Sequence, residues 1–302
     1  MTEPAMPSAA DIEQMDEAQH SAPAEAHGAP VPEQPNDPRF ADYLGPVVVF
    51  VLFIGGWYLT RALMSEQRQF LMPPPWRPGD HNDVVDTAFL DWSNLKPILE
   101  ATWQSAKVAG VGLAIAIFIG VALATIMSQA SWIEKSMYPY LVALQAVPIL
   151  AIVPLIGMLL DFGFAARVFV CVLISLFPIV SSTLFGLLSA DRLQHELFTL
   201  QGATRVTRLR KLQFPAALPA IFTGFRISAG LSVIGAIVGD FFFQQGQRGL
   251  GQIINLYRAR LQMEQMYGAL IIACVLGIVV FWLFGFLSRL AVGKWYEPTR
   301  SP

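Results

Sequence analysis

The sequence predicts an all-α protein: a polytopic membrane helical bundle with about six transmembrane helices. Composition is the first observation. Hydrophobic residues make up 54% of the 302 residues and charged residues only 14%, where a soluble domain carries roughly twice that charged share. Mean hydropathy is +0.51. The second is a set of six apolar runs, at 44–64, 108–127, 137–160, 165–188, 216–243 and 266–290. Each is near the ~20 residues that cross roughly 30 Å of hydrocarbon. The third is a basic polar loop, 189–215, lying between two of those runs.

The first element is polar. Residues 1–43 hold nine acids and a single base, Arg39, leaving 19 bases against 13 acids in the remainder. The near-neutral net charge of -2 therefore hides an acidic tail joined to a basic membrane body. The tail is rich in Pro and Ala and has no aromatic before Phe40. It lacks the apolar surface to offset ordering entropy, so it reads as disordered. With no basic leader and no early apolar run, it is not a signal peptide. A regulatory or docking tail and a plain solvated leader both fit it.

The span 44–64 (LGPVVVFVLFIGGWYLTRALM) follows directly. Next comes FLMPPPWRPGD, whose prolines predict extended or turn-like backbone. Residues 95–106 (LKPILEATWQSA) put Leu95, Ile98, Leu99, Thr102 and Trp103 on one face. That predicts an amphipathic helix at the outer interface with Trp103 as its anchor. The second span carries small residues from Gly110 to Ala124, and the fifth has Gly224, Ser228, Gly230, Gly235 and Gly239. Such faces let helix backbones approach closely in lipid. Pro139, Pro148 and Pro154 interrupt the third span, which predicts one kinked, buried helix. Ser181, Ser182 and Thr183 in the fourth are expected to bond back to helix carbonyls. Residues 244–265 are too polar to span, and Gly246, Gly249 and Gly251 allow a tight turn before a short helix.

Orientation follows from basic residues in loops. The 189–215 loop carries Arg192, Arg205, Arg208, Arg210 and Lys211, while the turn between spans three and four carries Arg167 beside Asp161. That places 189–215 in the cytosol and, with six spans, both termini inside. Arg289, Lys294 and Arg300 agree; Arg68, Arg77, Lys96, Arg248, Arg258 and Arg260 fall on the outer side. The domain reading is a cytoplasmic tail 1–43, a transmembrane domain 44–294 and a cytoplasmic C-terminal tail 295–302.

Within the loop, Leu193, Leu197 and Leu200 recur at helical spacing, and Arg192 and Glu196 stand one turn apart. Gly202 can take positive φ and let the chain turn. Thr204 is a candidate N-cap for a second half running to Phe214. Pro215 and Pro219 fall in the first turns of span five, where a missing N–H costs little. By spacing alone, this could be a basic loop that satisfies the orientation rule and does nothing more.

Several chemistries find no support. Cys171 and Cys274 lie in apolar runs with no disulfide framework or zinc spacing. Gly249-x-Gly251 lacks a nucleotide-binding context, and no P-loop pattern occurs. His195 and Glu196 are adjacent and point different ways on a helix; His20, His27 and His81 are isolated. No cofactor, metal or catalytic residue is expected, nor a nucleic-acid partner. Three polar residues at membrane depth are candidates for a translocation path. Gln145 either bonds across helices or lines the path. Arg226 and Asp240 either attract solute or anchor the packing.

The segment ELFTLQGATRVTRLRKLQFP resembles the signature of binding-protein-dependent ABC import permeases: Glu-Ala-Ala, three residues, Gly, nine residues, Ile-x-Leu-Pro. Glu196, Gly202, Leu212, Phe214 and Pro215 match it, while Leu197 and Phe198 replace the two alanines. PAALPAIFTGFRISAGLSVIGAIVGDFF is similar to span five of the nitrate/sulfonate/taurine-type permeases. Gly249-Leu250-Gly251 is similar to their outer turn, and AVPILAIVPLIGMLLDFGF to their proline-rich third span. The resemblance covers roughly 45–293. It implies the type I importer permease fold and an inner-membrane, non-catalytic subunit. The implied partners are two cytosolic ATPase subunits, an extracytoplasmic solute-binding protein, a second permease copy as a homodimer, and membrane lipid. Glu196, Gly202, Ala203, Arg205, Arg208, Leu212 and Pro215 would form the ATPase-coupling loop. The implied cargo is a sulfonate, a nitrate-like anion or a thiamine-precursor pyrimidine. An ion-driven carrier, or a membrane-embedded sensor or enzyme, is the alternative.

Overall fold

The computed structural model describes residues 40–76, 83–243 and 245–293. The acidic tail up to residue 39, the tail 295–302, and Arg77, His81, Lys294 and Arg300 lie outside them. The chain divides into two compact units, 1–59 and 60–302. The first contributes most of helix α1 (Phe40–Leu63), a 24-residue apolar helix.

The second unit holds α2 (Trp92–Met127), α3 (Ser131–Ala146), α4 (Ile149–Leu159), α5 (Phe164–Leu188), α6 (Arg192–Leu200), α7 (Arg205–Arg208), α8 (Phe214–Phe242), α9 (Leu250–Ala259) and α10 (Met263–Val292). Every regular element among the described residues is a helix. Five helical runs are long and apolar enough to cross a membrane: Leu44–Leu63, Trp92–Met127, Phe164–Leu188, Arg205–Phe242 and Met263–Ala291. The bent pair α3 and α4 makes a sixth if taken as one broken span.

Two elements differ from the sequence expectation. The interfacial helix 95–106 and the span 108–127 are one 36-residue helix, α2. No glycine or proline interrupts the chain between them, so nothing ends the helix there. Asp91 caps its start by accepting the Ser93 N–H at 2.9 Å. Ile98, Ala101 and Ser105 are buried rather than interfacial, while Trp103 remains 64% exposed. The single kinked span 137–160 is instead α3 and α4, bent by 95° at Val147 and Pro148. Pro148 disfavours helical backbone in the preceding residue, and Val147 is extended with ψ 126°. Pro139 and Pro154 stay inside their helices.

Helix α5 packs along α8 and against α2. Leu113 and Ala116 of α2, Cys171 and Ile179 of α5, and Ala229 and Val233 of α8 share one buried cluster. Glycine makes the approach close. A Cβ at Gly112 would overlap Cys171, and one at Gly224 would stand 2.7 Å from Ser182 Cβ. Of the three hydroxyls beside it, Ser181 bonds back to the Pro178 carbonyl at 3.4 Å. Thr183 Oγ1, expected to do likewise, is buried without a hydrogen-bond partner.

A polar network ties one end of these helices together. Arg167 belongs to α5 and is 3% exposed, so it is not a loop charge. Its guanidinium lies 3.0 Å from Asp240 Oδ1 on α8. The N–H bonds point instead to the carbonyls of Phe243, Gln245 and Gln247, at 2.8, 2.7 and 2.9 Å. Ser105 of α2 donates to Asp240 Oδ2 at 2.6 Å and accepts the Leu250 N–H at 2.8 Å. The glycine turn before α9 fits against this network. A Cβ at Gly249 would overlap the Asp240 carboxylate, and one at Gly251 would overlap the Ile237 carbonyl oxygen.

Removing one member of a buried ion pair typically costs about 3–5 kcal/mol. Arg167→Leu also strips three carbonyls of their donor, so it is expected to destabilise more than Asp240→Asn, which keeps the shape and an acceptor for Ser105. Thermal unfolding of the two detergent-solubilised variants measures the order. Gly112→Val forces a branched side chain onto Cys171 and is expected to cost about 1–3 kcal/mol, as overpacking does. A lowered Tm with the helical signal retained below it is the expected readout.

Candidate functional site

The 189–215 segment builds an exposed hairpin from local rules. Asp191 caps α6 by accepting the Leu193 N–H at 3.0 Å. Arg192 and Glu196 pair across one turn at 3.0 Å in the open, where such a contact stabilises little. No residue of α6 is buried. Its apolar stripe faces outward, with Leu193 71%, Leu197 53% and Leu200 87% exposed.

Gly202 ends α6 with φ +66°, and nothing lies within 4 Å of where its Cβ would be. Its conformation, not crowding, asks for glycine. The Gly202 and Ala203 N–H groups bond back to the Thr199 and Phe198 carbonyls, both at 3.0 Å, closing the helix end. Thr204 then caps α7 through the Thr207 N–H at 3.3 Å. Arg208 reaches back across the turn to Thr199 Oγ1 at 3.0 Å. Arg205 is exposed, and Ala203 and Arg208 are half-buried.

The second half of the hairpin does not stop before span five. A π turn at Leu209–Gln213 carries α7 straight into α8. Pro215 supplies a reason. It has no N–H, and its ring crowds the carbonyl four residues back, so a widened turn relieves an otherwise broken ladder. Leu212 is buried inside this turn, unlike the exposed loop residues before it. Leu209 and Phe214 pack against the cluster of Leu187, Ala217 and Ile221, which ties the base of the hairpin to α5.

The three candidate path residues do not come together. Asp240 is fully buried in the Arg167 network. Arg226 is exposed on α8, with its guanidinium carbon 3.9 Å from the ring centre of Phe281 on α10. Gln145 lines a cavity of about 330 Å³ at the bend between α3 and α4. Other walls come from Phe177 on α5 and from Leu231 and Val238 on α8. The sequence reading missed Arg167, Ser105 and this cavity. A basic residue in the first turn of an apolar run was the available signal for Arg167. Ser105, read as part of an interfacial helix, offered none.

Comparison with known proteins places this architecture. The formylaminopyrimidine transport permease protein ThiX of Halalkalibacterium halodurans is 31% identical over 238 residues, covering 79% of this chain and 90% of that one. The riboflavin transport system permease protein RibX of Chloroflexus aurantiacus is 35% identical over 164 residues, 54% of this chain and 60% of that one. Among solved structures, an inward-facing form of the MetNI methionine ABC transporter aligns with a TM-score of 0.59 at 16% identity, over 66% of this chain and 98% of that one. At that identity the likeness is one of fold, and the fold is that of an ABC importer permease. Residues 116–293 match the family described as binding-protein-dependent transport system inner membrane component. With that match over more than half its length, the chain belongs to this family of ABC transporter permeases.

Proposed function

We infer that the chain is the transmembrane permease subunit of an ATP-driven import system and that the hairpin 189–215 is its coupling loop. The observation that carries this is mechanical. An exposed hairpin with an unpaired apolar stripe and a basic flank runs without a break into α8, which packs on α2, α5 and α10. A displacement of the hairpin is therefore a displacement of α8.

In this reading two cytosolic ATPase subunits grip two such hairpins, one from each copy of a homodimer. Both termini lie in the cytosol and the bundle sits in the inner membrane. Glu196, Gly202, Ala203, Arg205 and Arg208 form the docking turn. Leu212 and Pro215 transmit its movement, since one is buried at the hinge and the other sets the π turn. ATP binding draws the hairpins together and tilts the spans; hydrolysis by the partner resets them. Coupling needs the loop to be held differently in the two states, because a ligand shifts an equilibrium only by its differential affinity. A solute-binding protein delivers cargo on the opposite side. The cargo is a sulfonate, a nitrate-like anion or a pyrimidine of the kind named for ThiX. Of the path residues, Gln145 has the geometry for contact with solute, while the partners of Asp240 and Arg226 suit anchoring.

Two loop variants test the reading. Gly202→Val places a branched residue at positive φ, which favours another turn conformation, whereas Asn tolerates that region. Gly202→Val is expected to lower uptake and ATPase co-purification at least tenfold with membrane insertion unchanged, an effect on the order of 1.4 kcal/mol or more. Gly202→Asn is expected to retain most of both. Equal transport by the two variants would refute the coupling role. Glu196→Lys removes an exposed pair of little structural value and reverses one charge on the docking face. It is expected to weaken ATPase association in pull-down while leaving the thermal stability of the permease within about 0.5 kcal/mol.

A further inference from the structure

The bend between α3 and α4 leaves backbone groups without partners at membrane depth. Pro148 offers no N–H, and the carbonyls at the end of α3 have no following turn to bond. The N–H groups of Val147, Ile149 and Leu150 form no backbone hydrogen bond outside the helices either. Lipid satisfies none of these, so non-helical backbone at this depth is tolerated only against protein or a solvated cavity. A cavity of about 330 Å³ is what the bend lines. Its α5 wall, Leu173 to Pro178, is the middle of a helix spanning Phe164–Leu188, which puts the cavity near mid-membrane.

Three properties define what fits. The walls are aliphatic apart from the Phe177 ring, and Gln145 is the one polar side chain among the described lining residues. None of those residues is charged, and Arg226 is engaged with Phe281 instead. The dipole ends at the bend oppose each other, since a helix C-terminus and a helix N-terminus meet there. The site therefore offers both acceptors and donors along one edge, with no net positive field. An inorganic anion or sulfonate would give up hydration without a counter-charge, which is costly. A sugar or a zwitterion would need more polar partners than one amide and a few backbone groups supply. The volume is at the lower end of the roughly 300–1,000 Å³ of small-molecule sites, which are mostly apolar with a few placed polar groups.

We propose that this cavity is the solute subsite of the permease and that it takes an uncharged, flat, single-ring heteroaromatic. The ring lies against Phe177 and the aliphatic walls. Its polar edge meets the Gln145 amide, which both donates and accepts. The proposal rests on the import reading above and selects one class among its cargoes.

The test uses the full chain in lipid nanodiscs with Cys274→Ser, which leaves Cys171 buried, and Val147→Cys as a reporter in the cavity wall. Maleimide labelling of the reporter is followed with millimolar formylaminopyrimidine, nitrate or ethanesulfonate. Formylaminopyrimidine is expected to slow labelling about fivefold at several times its Kd, by mass action, and the two anions to leave it unchanged. Adding Gln145→Leu is expected to abolish most of the protection. Labelling of Cys274 in the unsubstituted chain is the control and is expected to be indifferent to all three. Protection by either anion, no protection by the pyrimidine, protection that survives Gln145→Leu, or a reporter that maleimide never reaches would each overturn the proposal. No ATPase enters the measurement. A negative result alongside uncoupling by Gly202→Val would thus remove the solute class and leave the permease reading standing.

Discussion

The buried contact between Arg167 and Asp240 organises the bundle. Two charges with 3% and 0% exposure persist in an apolar interior only when they meet. That requirement brings α5 and α8 together at one end, and Ser105 draws α2 to the same point. The Arg167 Nη1 and Nη2 groups hold the carbonyls of Phe243, Gln245 and Gln247, so the connection from α8 to α9 is shaped by the same side chain. Gly249 and Gly251 are the consequence, since only a residue without a side chain fits beside the carboxylate and the Ile237 carbonyl.

With α8 pinned near Asp240, its other end is where the proposed coupling would apply movement. Asp240 and the π turn at Leu209–Gln213 stand at opposite ends of the helix. Between them α8 packs closely on α5 through Gly186, Gly224, Gly235 and Gly239, each with neighbours a Cβ would crowd. Close-packed surfaces transmit displacement instead of absorbing it. In the proposed coupling, a helix held at one end, driven at the other and packed along its length would act as a lever that includes the cavity wall at Leu231 and Val238.

Much of this was legible from local sequence. The turn at Gly202, the cap at Thr204 and the apolar stripe of Leu193, Leu197 and Leu200 each depend on residues within one or two turns of each other, while only the structure shows the stripe facing outward. What failed to be legible involves residues far apart or competing local signals. Ser105 lies 135 positions from Asp240, and on a single strand of sequence it looks like one more small residue in an amphipathic stretch. Three prolines in 137–160 look equivalent, yet only Pro148 breaks the chain; Pro139 and Pro154 stay helical where packing allows.

The sequence by itself determined the helical class, the approximate spans, the exposed hairpin and the family, because hydrophobic length, turn chemistry and a spaced motif are properties of neighbouring residues. Tertiary structure alone decided which charges are buried as a pair, where the third span bends, and that the hairpin and α8 are one continuous element. The physical reason is that burial, ion pairing and the relief of proline strain depend on what surrounds a residue in space, and that environment exists only after the helices have packed.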